Sequence, residues 1–435
     1  MSHTGALPAT RAAASAARRP LFGFWMLIVT QFQSAFSDNA LRWLVAFLVL
    51  EAGLPRERRD FLFVLVVPLL FSVPFILFSV PGGYFADRYS KRGVTLTTKC
   101  FELCVMVFAA WALAGGHLAL AGAALFLVSS QAAIFGPTKY SLLPELLPLH
   151  RLSWGNGILE MGTFLAAITG TLAGGILAHV FASRQVWSGM VFLGLSALGI
   201  STSLGIPRLP AADPGRRFSW NWPGGFVREL LGMRRDPFLW TAVVANTFFW
   251  FLASLLLLNI VLYATDVLRV DEVHSSYLLA GLSLGIAFGS FVAGYVSRDK
   301  IEYGMILPAM AGIAALAVTL AWPGLHFAEV LGLLVALGGC AGFFAVPVNA
   351  LIQARPKAEE KGRTIAASNL LSFVGIAMQP LAQYAMLRLG HPDPNHVFII
   401  SAALTLLVAG ILCWMLPDLL TRALLWTRLS QKTTL

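Results

Sequence analysis

The chain has 435 residues, of which 57% are hydrophobic and 12% charged, with 31 Lys and Arg against 21 Asp and Glu for a net charge of +10. A soluble chain of this length carries about 25% charged residues on the surfaces of its domains, so a soluble multidomain protein is excluded, and so are a disordered chain and, with four cysteines, a secreted disulfide scaffold. A polytopic membrane protein remains, in which the positive charge must be placed before it is interpreted.

In chain order, residues 1–21 are Ala-rich and basic and read as a cytoplasmic tail. The apolar run that follows is too long for a signal-peptide core and contains Asp38, Asn39 and Arg42, so it reads as a retained first helix. Apolar runs of bilayer-spanning length, about 20 residues, fall at 22–50, 60–86, 93–114, 118–143, 155–181, 185–206, 238–266, 273–297, 302–321, 325–354, 361–388 and 394–416. Their continuous hydrophobicity, with Gly and Pro inside, suits helices rather than the short alternating segments of a β-barrel. The predicted fold is an all-α membrane protein of twelve transmembrane helices.

Cytoplasmic connections carry an excess of Lys and Arg. Both termini and the even-numbered connections hold 24 of them, Lys99 and Lys139 counted in, against 6 in the odd-numbered connections, with Arg42 inside a span. Both termini are therefore predicted to be cytoplasmic, and the charge needs no nucleic acid to explain it. Cys100, Cys104, Cys340 and Cys413 sit in apolar runs without a CxxC spacing and read as small buried side chains. No HExxH, Cys/His cluster or Walker loop is present, so neither a metal, a cofactor nor ATP is implied.

A polar, Pro- and Arg-rich connection at 207–237 divides the chain into two bundles, 22–206 and 238–416, followed by a tail at 417–435. The halves superpose in sequence at a steady offset: Gly83-Tyr84 on Gly294-Tyr295, Pro137 on Pro347, and Thr163-Phe164 on Ser372-Phe373. Two six-helix bundles with a site between them follow, an architecture of parallel repeats. The tail mixes Leu and Trp426 with Arg422, Arg428 and Lys432, which fits an amphipathic helix on anionic lipid or a plain solubilising tail.

After the second span, Gly83-Tyr-Phe-Ala-Asp87-Arg88-Tyr-Ser-Lys91-Arg92 resembles the loop signature of the major facilitator superfamily. It implies gating roles for Gly83, Asp87, Arg88 and Arg92, with Gly83 allowing close helix approach and Asp87 pairing with a helix N-terminus or an Arg. The second copy, Gly294 to Lys300, has Arg298 where the first has Asp87. Small residues four apart, Gly170 and Gly174 in span 5 and Gly281, Gly285 and Gly289 in span 8, suit close helix packing or gating.

Ionisable groups inside a membrane are functional suspects. Asp38 lies about 24 Å along its helix from Phe22, past the midplane, and Arg42 four residues on shares its face, so an internal ion pair and a substrate contact both fit. Lys139 near the end of span 4 and Glu160 in the first turns of span 5, four residues after Asn156, could pair with each other or with substrate. The second half offers amides such as Asn349 and Gln353 together with apolar and aromatic surface. That lopsidedness suits an amphiphile with a charged head and an acyl tail.

Four stretches carry a more specific resemblance: Ser34 to Leu41, Gly136 to Glu145, Asn156 to Thr163 and Gly342 to Gln353. They are similar to the bacterial lysophospholipid transporters of the major facilitator superfamily, and to the membrane half of fused acyltransferase–transporter proteins, over residues 24–416. The resemblance implies a non-enzymatic, monomeric flippase. It would move lysophosphatidylethanolamine from the outer to the inner leaflet of the inner membrane, where a separate acyltransferase restores the second chain. It also implies that Asp38, Asn39, Lys139 and Glu160, with Asn156 and Asn349, handle the head group. Where those transporters have an Arg in the seventh span this chain reads Leu257, so a cation for phosphate is missing from the second half. A proton-coupled exporter of hydrophobic solutes, with Asp38 or Glu160 carrying the proton, is the alternative.

Overall fold

The computed structural model describes residues 7–218, 222–270, 272–297, 300–357, 359–389 and 394–432, with no strand among them. The first half contains α1 (Leu7–Glu51), the short α2 (Arg56–Asp60), α3 (Val67–Arg88), α4 (Lys91–Ala114), α5 (Leu118–Leu146), α6 (Leu152–Val180) and α7 (Val186–Ser203). A connecting helix, α8 (Trp222–Met233), leads to α9 (Pro237–Leu262), α10 (Glu272–Val296), α11 (Ile306–Leu320), α12 (Phe327–Ala354), α13 (Lys361–Leu389) and α14 (Pro394–Met415), and α15 (Asp418–Lys432) ends the chain.

Ten helical stretches among the described residues are long and apolar enough to cross a bilayer, α2 and α3 forming one of them through the π-helical turn Phe61–Val66. With α1 and α13 they make the twelve membrane helices of two six-helix bundles. α1 begins at Leu7, so it extends back into the stretch read as a tail. Prolines sit inside α3, α5 and α12, which is tolerated where neighbouring helices satisfy the freed backbone groups.

Each bundle has its own apolar core. In the first, Leu44, Met106, Leu125 and Phe192 bring together α1, α4, α5 and α7. In the second, Leu252, Leu282, Ile313 and Phe344 do the same for α9, α10, α11 and α12. The stripes of small residues serve packing within a bundle: a Cβ on Gly174 would lie 2.6 Å from the Ala40 carbonyl oxygen of α1, and one on Gly285 would lie 2.1 Å from the Val335 oxygen of α12.

Two readings of surface and interior are corrected. Cys100 and Cys104 lie exposed on the outer face of α4, where a thiol meets lipid, instead of being buried. Lys99, counted among the cytoplasmic cations, is fully buried within α4. Lys139 is held in the interior as well, and moving both out of the cytoplasmic set leaves a large basic excess on the side of the termini.

The connection between the bundles is anchored at both ends. Asp236 caps α9, its side chain accepting from the amides of Phe238 (3.0 Å) and Leu239 (3.2 Å). It also receives two hydrogen bonds from Arg355 at the end of α12, at 2.8 and 3.0 Å. Burial alone would raise the Asp236 pKa, but the Arg355 contacts and the backbone amides outweigh it and hold the carboxyl below its usual range. Asp236→Ala is expected to cost about 1 kcal/mol, the usual worth of such a cap. Because the folded-state pKa is depressed, the carboxylate stabilises above its unfolded pKa and that contribution fades as pH falls through the folded one. Thermal unfolding of wild type and variant at neutral and acid pH measures both.

The C-terminal α15 docks onto the second bundle. Leu419 is buried, Trp426 packs against Ala293, Met305 and Val346, and the Arg422 guanidinium stands 5.7 Å from the Tyr303 ring. Leu420 and Leu424 are left exposed on its outer face.

Candidate functional site

Where α6 begins and α12 ends, toward the side of the termini, the two helices meet across the bundles through polar side chains. On α6, Asn156 and Glu160 are one turn apart, and on α12 so are Asn349 and Gln353, so each pair shares a helix face. Asn156 and Gln353 exchange two hydrogen bonds: the Asn156 amide donates to Gln353 Oε1 at 3.1 Å, and the Gln353 amide donates to Asn156 Oδ1 at 2.6 Å. One turn further on, Glu160 Oε1 accepts from Asn349 at 3.1 Å and from the Tyr140 hydroxyl at 3.2 Å. Asn156, Glu160 and Gln353 are fully buried, so these two rungs are ties between the halves.

Lys139 and Glu160 form no direct ion pair. Tyr140 stands between them: Lys139 Nζ lies 4.8 Å from the Tyr140 ring and donates to Gln31 Oε1 at 2.9 Å, while the phenol reaches Glu160. The Gln31 amide in turn donates to Thr163 at 3.0 Å. One cation thus holds α1 against α5, with two of its three donors still free for a further acceptor.

Of the two readings open for Asp38 and Arg42, the internal ion pair is not formed. Arg42 turns to the aromatic side of its helix, 4.8 Å from the Phe71 ring and 6.0 Å from that of Trp43. Asp38 is buried, and its Oδ1 has no hydrogen-bond partner. Neighbours on a helix surface are not obliged to pair when an aromatic face offers the guanidinium a better-desolvated site. Asn39 is satisfied by its own helix, donating to the Ala35 carbonyl at 2.8 Å.

A second buried polar cluster escaped sequence reasoning. Lys99 donates to Glu102 Oε2 (2.6 Å), Gln33 Oε1 (2.8 Å) and Ser34 Oγ (2.9 Å), and Glu102 Oε1 accepts from the Gln33 amide (2.9 Å) and Ser196 (3.3 Å). All of these side chains are buried, and the cluster pins α4 to α1 and α7. The signal was available: two opposite charges three residues apart inside an apolar run face each other on a helix.

A small polar cleft lies between the halves, lined by Tyr140, Asn246, Asn349, Gln353, Ser368 and Asn369. Asn246 on α9 donates to Ser372 on α13 at 3.1 Å and to Ser368 at 3.4 Å.

On the side of the termini the halves close at two symmetry-related places. A Cβ on Gly83 of α3 would lie 2.6 Å from the Ala366 methyl and 2.7 Å from the Gly362 oxygen of α13, and one on Gly157 of α6 would lie 2.6 Å from the Ser290 oxygen of α10, beside Gly294. The same small residues at the repeat offset make equivalent contacts. At the first place Asp87 is fully buried and accepts from the amides of Gly362 (2.8 Å) and Arg363 (3.1 Å), the N-terminus of α13, while pairing with Arg216. The Asp213 amide donates to the Asp87 carbonyl at 2.8 Å, and Arg88 donates to the Arg216 carbonyl. The inter-bundle connection therefore runs across this closure. Arg92 takes no part in it, donating at 2.8 Å to the Leu204 carbonyl at the end of α7 in its own bundle. The second copy of the loop signature, at Arg298 and Asp299, lies outside the described residues.

Comparison with known proteins agrees with this geometry. The family model described as Major Facilitator Superfamily matches residues 27–380. The lysophospholipid transporter LplT of Klebsiella pneumoniae (strain 342) is 30% identical over 401 residues, covering 90% of this chain and 96% of that protein. LplT of Pectobacterium carotovorum subsp. carotovorum (strain PC1) is 31% identical over 358 residues, 79% of this chain and 81% of that one. Among solved structures, the transporter FucP in the outward conformation superposes with a TM-score of 0.69 at 14% identity, over 91% of this chain and 99% of that one. The human organic anion transporter MFSD10 gives 0.73 at 17%, over the same shares. At those identities the solved structures speak to the fold. The chain belongs to the major facilitator superfamily and, within it, to the family of the LplT lysophospholipid transporters.

Proposed function

We propose that the protein moves lysophospholipids, chiefly lysophosphatidylethanolamine, from the outer to the cytoplasmic leaflet of the bacterial inner membrane, where a separate acyltransferase restores the missing chain. The observation that carries this reading is the unpartnered, buried Oδ1 of Asp38 in the same half as a cation with donors to spare. Asp38 lies seven residues, two turns or about 10 Å, along α1 from the Gln31 that holds Lys139, and on the same face. A zwitterionic head group presents an ammonium that donates to the carboxylate and a phosphate that accepts from the lysine. The names of the relatives support the substrate class.

The basic excess supports a cytoplasmic position for both termini. In that orientation the closure at Gly83, Asp87 and Arg88 is the cytoplasmic gate, and Arg92 braces the first bundle beside it. Asn156 and Glu160 act with Gln353 and Asn349 as ties between the halves, and Glu160 and Asn349 meet the head group when those ties part.

The test is transport of labelled lysophosphatidylethanolamine in proteoliposomes. Asp38→Ala and Lys139→Met are expected to lower the rate at least tenfold, with thermal unfolding confirming that the variants fold. Wild-type rates in both would remove the site. Movement of a hydrophobic cation driven by an imposed pH gradient, with no lysolipid movement, would favour proton-coupled export instead.

A further inference from the structure

The connecting helix α8 carries a surface that neither the polar site nor the fold of its bundle uses. Its inner face is formed by Phe226, Leu230 and the buried Met233, which pack against the core of the second bundle. Its outer face shows Val227 and Leu231, one turn apart and 53% and 55% exposed. Arg228 lies exposed beside them, and Arg234 and Arg235 are exposed just past the end of the helix. The Arg234 guanidinium stands 5.0 Å from the ring of Trp240, in the first turn of the membrane helix α9.

The charges of this segment are sorted by direction. Residues 222–236 hold three arginines and two acids, nearly balanced in sequence. Both acids turn inward and are engaged. Glu229 accepts from the Thr364 hydroxyl at 2.9 Å and pairs with the Arg363 guanidinium at 2.9 Å, while Asp236 caps α9 and holds Arg355. The outer side is therefore positive. Positive charge alone would suit any polyanion, but the two apolar side chains set among the arginines narrow the partner. A polyanion in water offers them nothing, whereas the boundary of a bilayer takes up apolar side chains and offers lipid phosphates to the cations. Trp240 beside Arg234 agrees with that place, since tryptophan collects at membrane boundaries.

The inner side of α8 reaches the closure between the halves. Arg363 and Thr364 stand in the first turn of α13, whose Gly362 and Arg363 amides hold Asp87 of α3. Glu229 thus fastens α8 to the same turn that Asp87 fastens to the first bundle.

We infer that α8 is an interfacial helix that binds anionic lipid head groups through Arg228, Arg234 and Arg235, with Val227 and Leu231 set among the lipids, and that through Glu229 this contact steadies the closure at Asp87. The inference goes beyond the transport reading and is independent of which lipid is carried. Each basic side chain near an anionic membrane strengthens attachment about fivefold, so three of them hold the helix firmly on an anionic bilayer and weakly on a neutral one.

The experiment uses the full-length protein in nanodiscs of phosphatidylcholine, with and without phosphatidylglycerol. It measures amide exchange over residues 224–233 and the distance between spin labels at the exposed positions 89 and 357, one on each half. Phosphatidylglycerol is expected to slow that exchange about tenfold or more and to lower the open, long-distance population about threefold. Salt at about 0.5 M, which cuts the reach of a charge to a few ångströms, is expected to remove most of both effects. The triple variant Arg228→Gln, Arg234→Gln, Arg235→Gln is expected to lose both responses, and the same three positions changed to Lys are expected to keep them. Glu229→Ala is expected to keep the exchange response and lose the distance response. Equal exchange in the two kinds of disc, or a response that survives in the triple Gln variant, would overturn the lipid site. Equal slowing by soluble polyphosphate in neutral discs would assign the surface to a soluble polyanion and overturn it too. A distance response unchanged in Glu229→Ala would overturn the link to the closure.

Discussion

Lys99→Met is expected to destabilise the protein by about 3–5 kcal/mol, the cost of stranding a buried carboxylate by removing its cation. Lys99 uses all three of its donors, on Glu102, Gln33 and Ser34, and Glu102 is completed by Gln33 and Ser196, so no water or lipid is at hand to take over. The double variant Lys99→Met with Glu102→Leu is expected to recover most of the loss, because well-packed apolar groups replace a buried pair at little net cost. It stays short of wild type by about 1–3 kcal/mol, since the Gln33 amide keeps unmet hydrogen bonds. Denaturant unfolding in detergent measures this series. A single variant as stable as wild type would show that the cluster does not hold α4 to α1 and α7.

Asp87→Ala is expected to move the resting population away from closure on the side of the termini. The carboxylate satisfies two amides at the start of α13 and pairs with Arg216, and an anion in a partly buried helix N-terminus is worth up to about 2 kcal/mol. That corresponds to a roughly 30-fold change in the ratio of closed to open forms. Spin labels at the exposed positions 89 and 357, one on each half, report it as a new long-distance population. An unchanged distance distribution would show that the closure rests on Gly83 and Gly157 packing alone. Arg216→Ala is expected to have the smaller effect, because the partly exposed guanidinium leaves the two amide contacts intact.

The fold was legible because a bilayer imposes long apolar runs, and because the repeat left Gly83 and Gly294 in matching places that proved to make matching contacts. The site was legible as residues and not as pairings. Asn156 with Glu160, and Asn349 with Gln353, stood out by their one-turn spacing, but nothing in one chain says that residues 197 positions apart face each other. Asp38 and Arg42 had the spacing of a pair, and Phe71, on another helix, drew the arginine away. Lys99 was counted as cytoplasmic because it lies six residues from a predicted span end, where a cation ordinarily reaches the interface along its own flexible stem. Glu102, three residues on, marked one inward partner, and the packed structure adds Gln33 and Ser34.

The two rungs between α6 and α12 run in antiparallel register, Asn156 to Gln353 and Glu160 to Asn349. Their equal spacing on both helices gives the joint detents. If one helix slides past the other by a turn, about 5.4 Å, either Asn156 comes opposite Asn349 or Glu160 comes opposite Gln353. Each of these is a donor facing an acceptor, so one rung is kept while the other opens. The halves can therefore be uncoupled in steps instead of all at once, and the intermediate position frees one polar side chain on each helix.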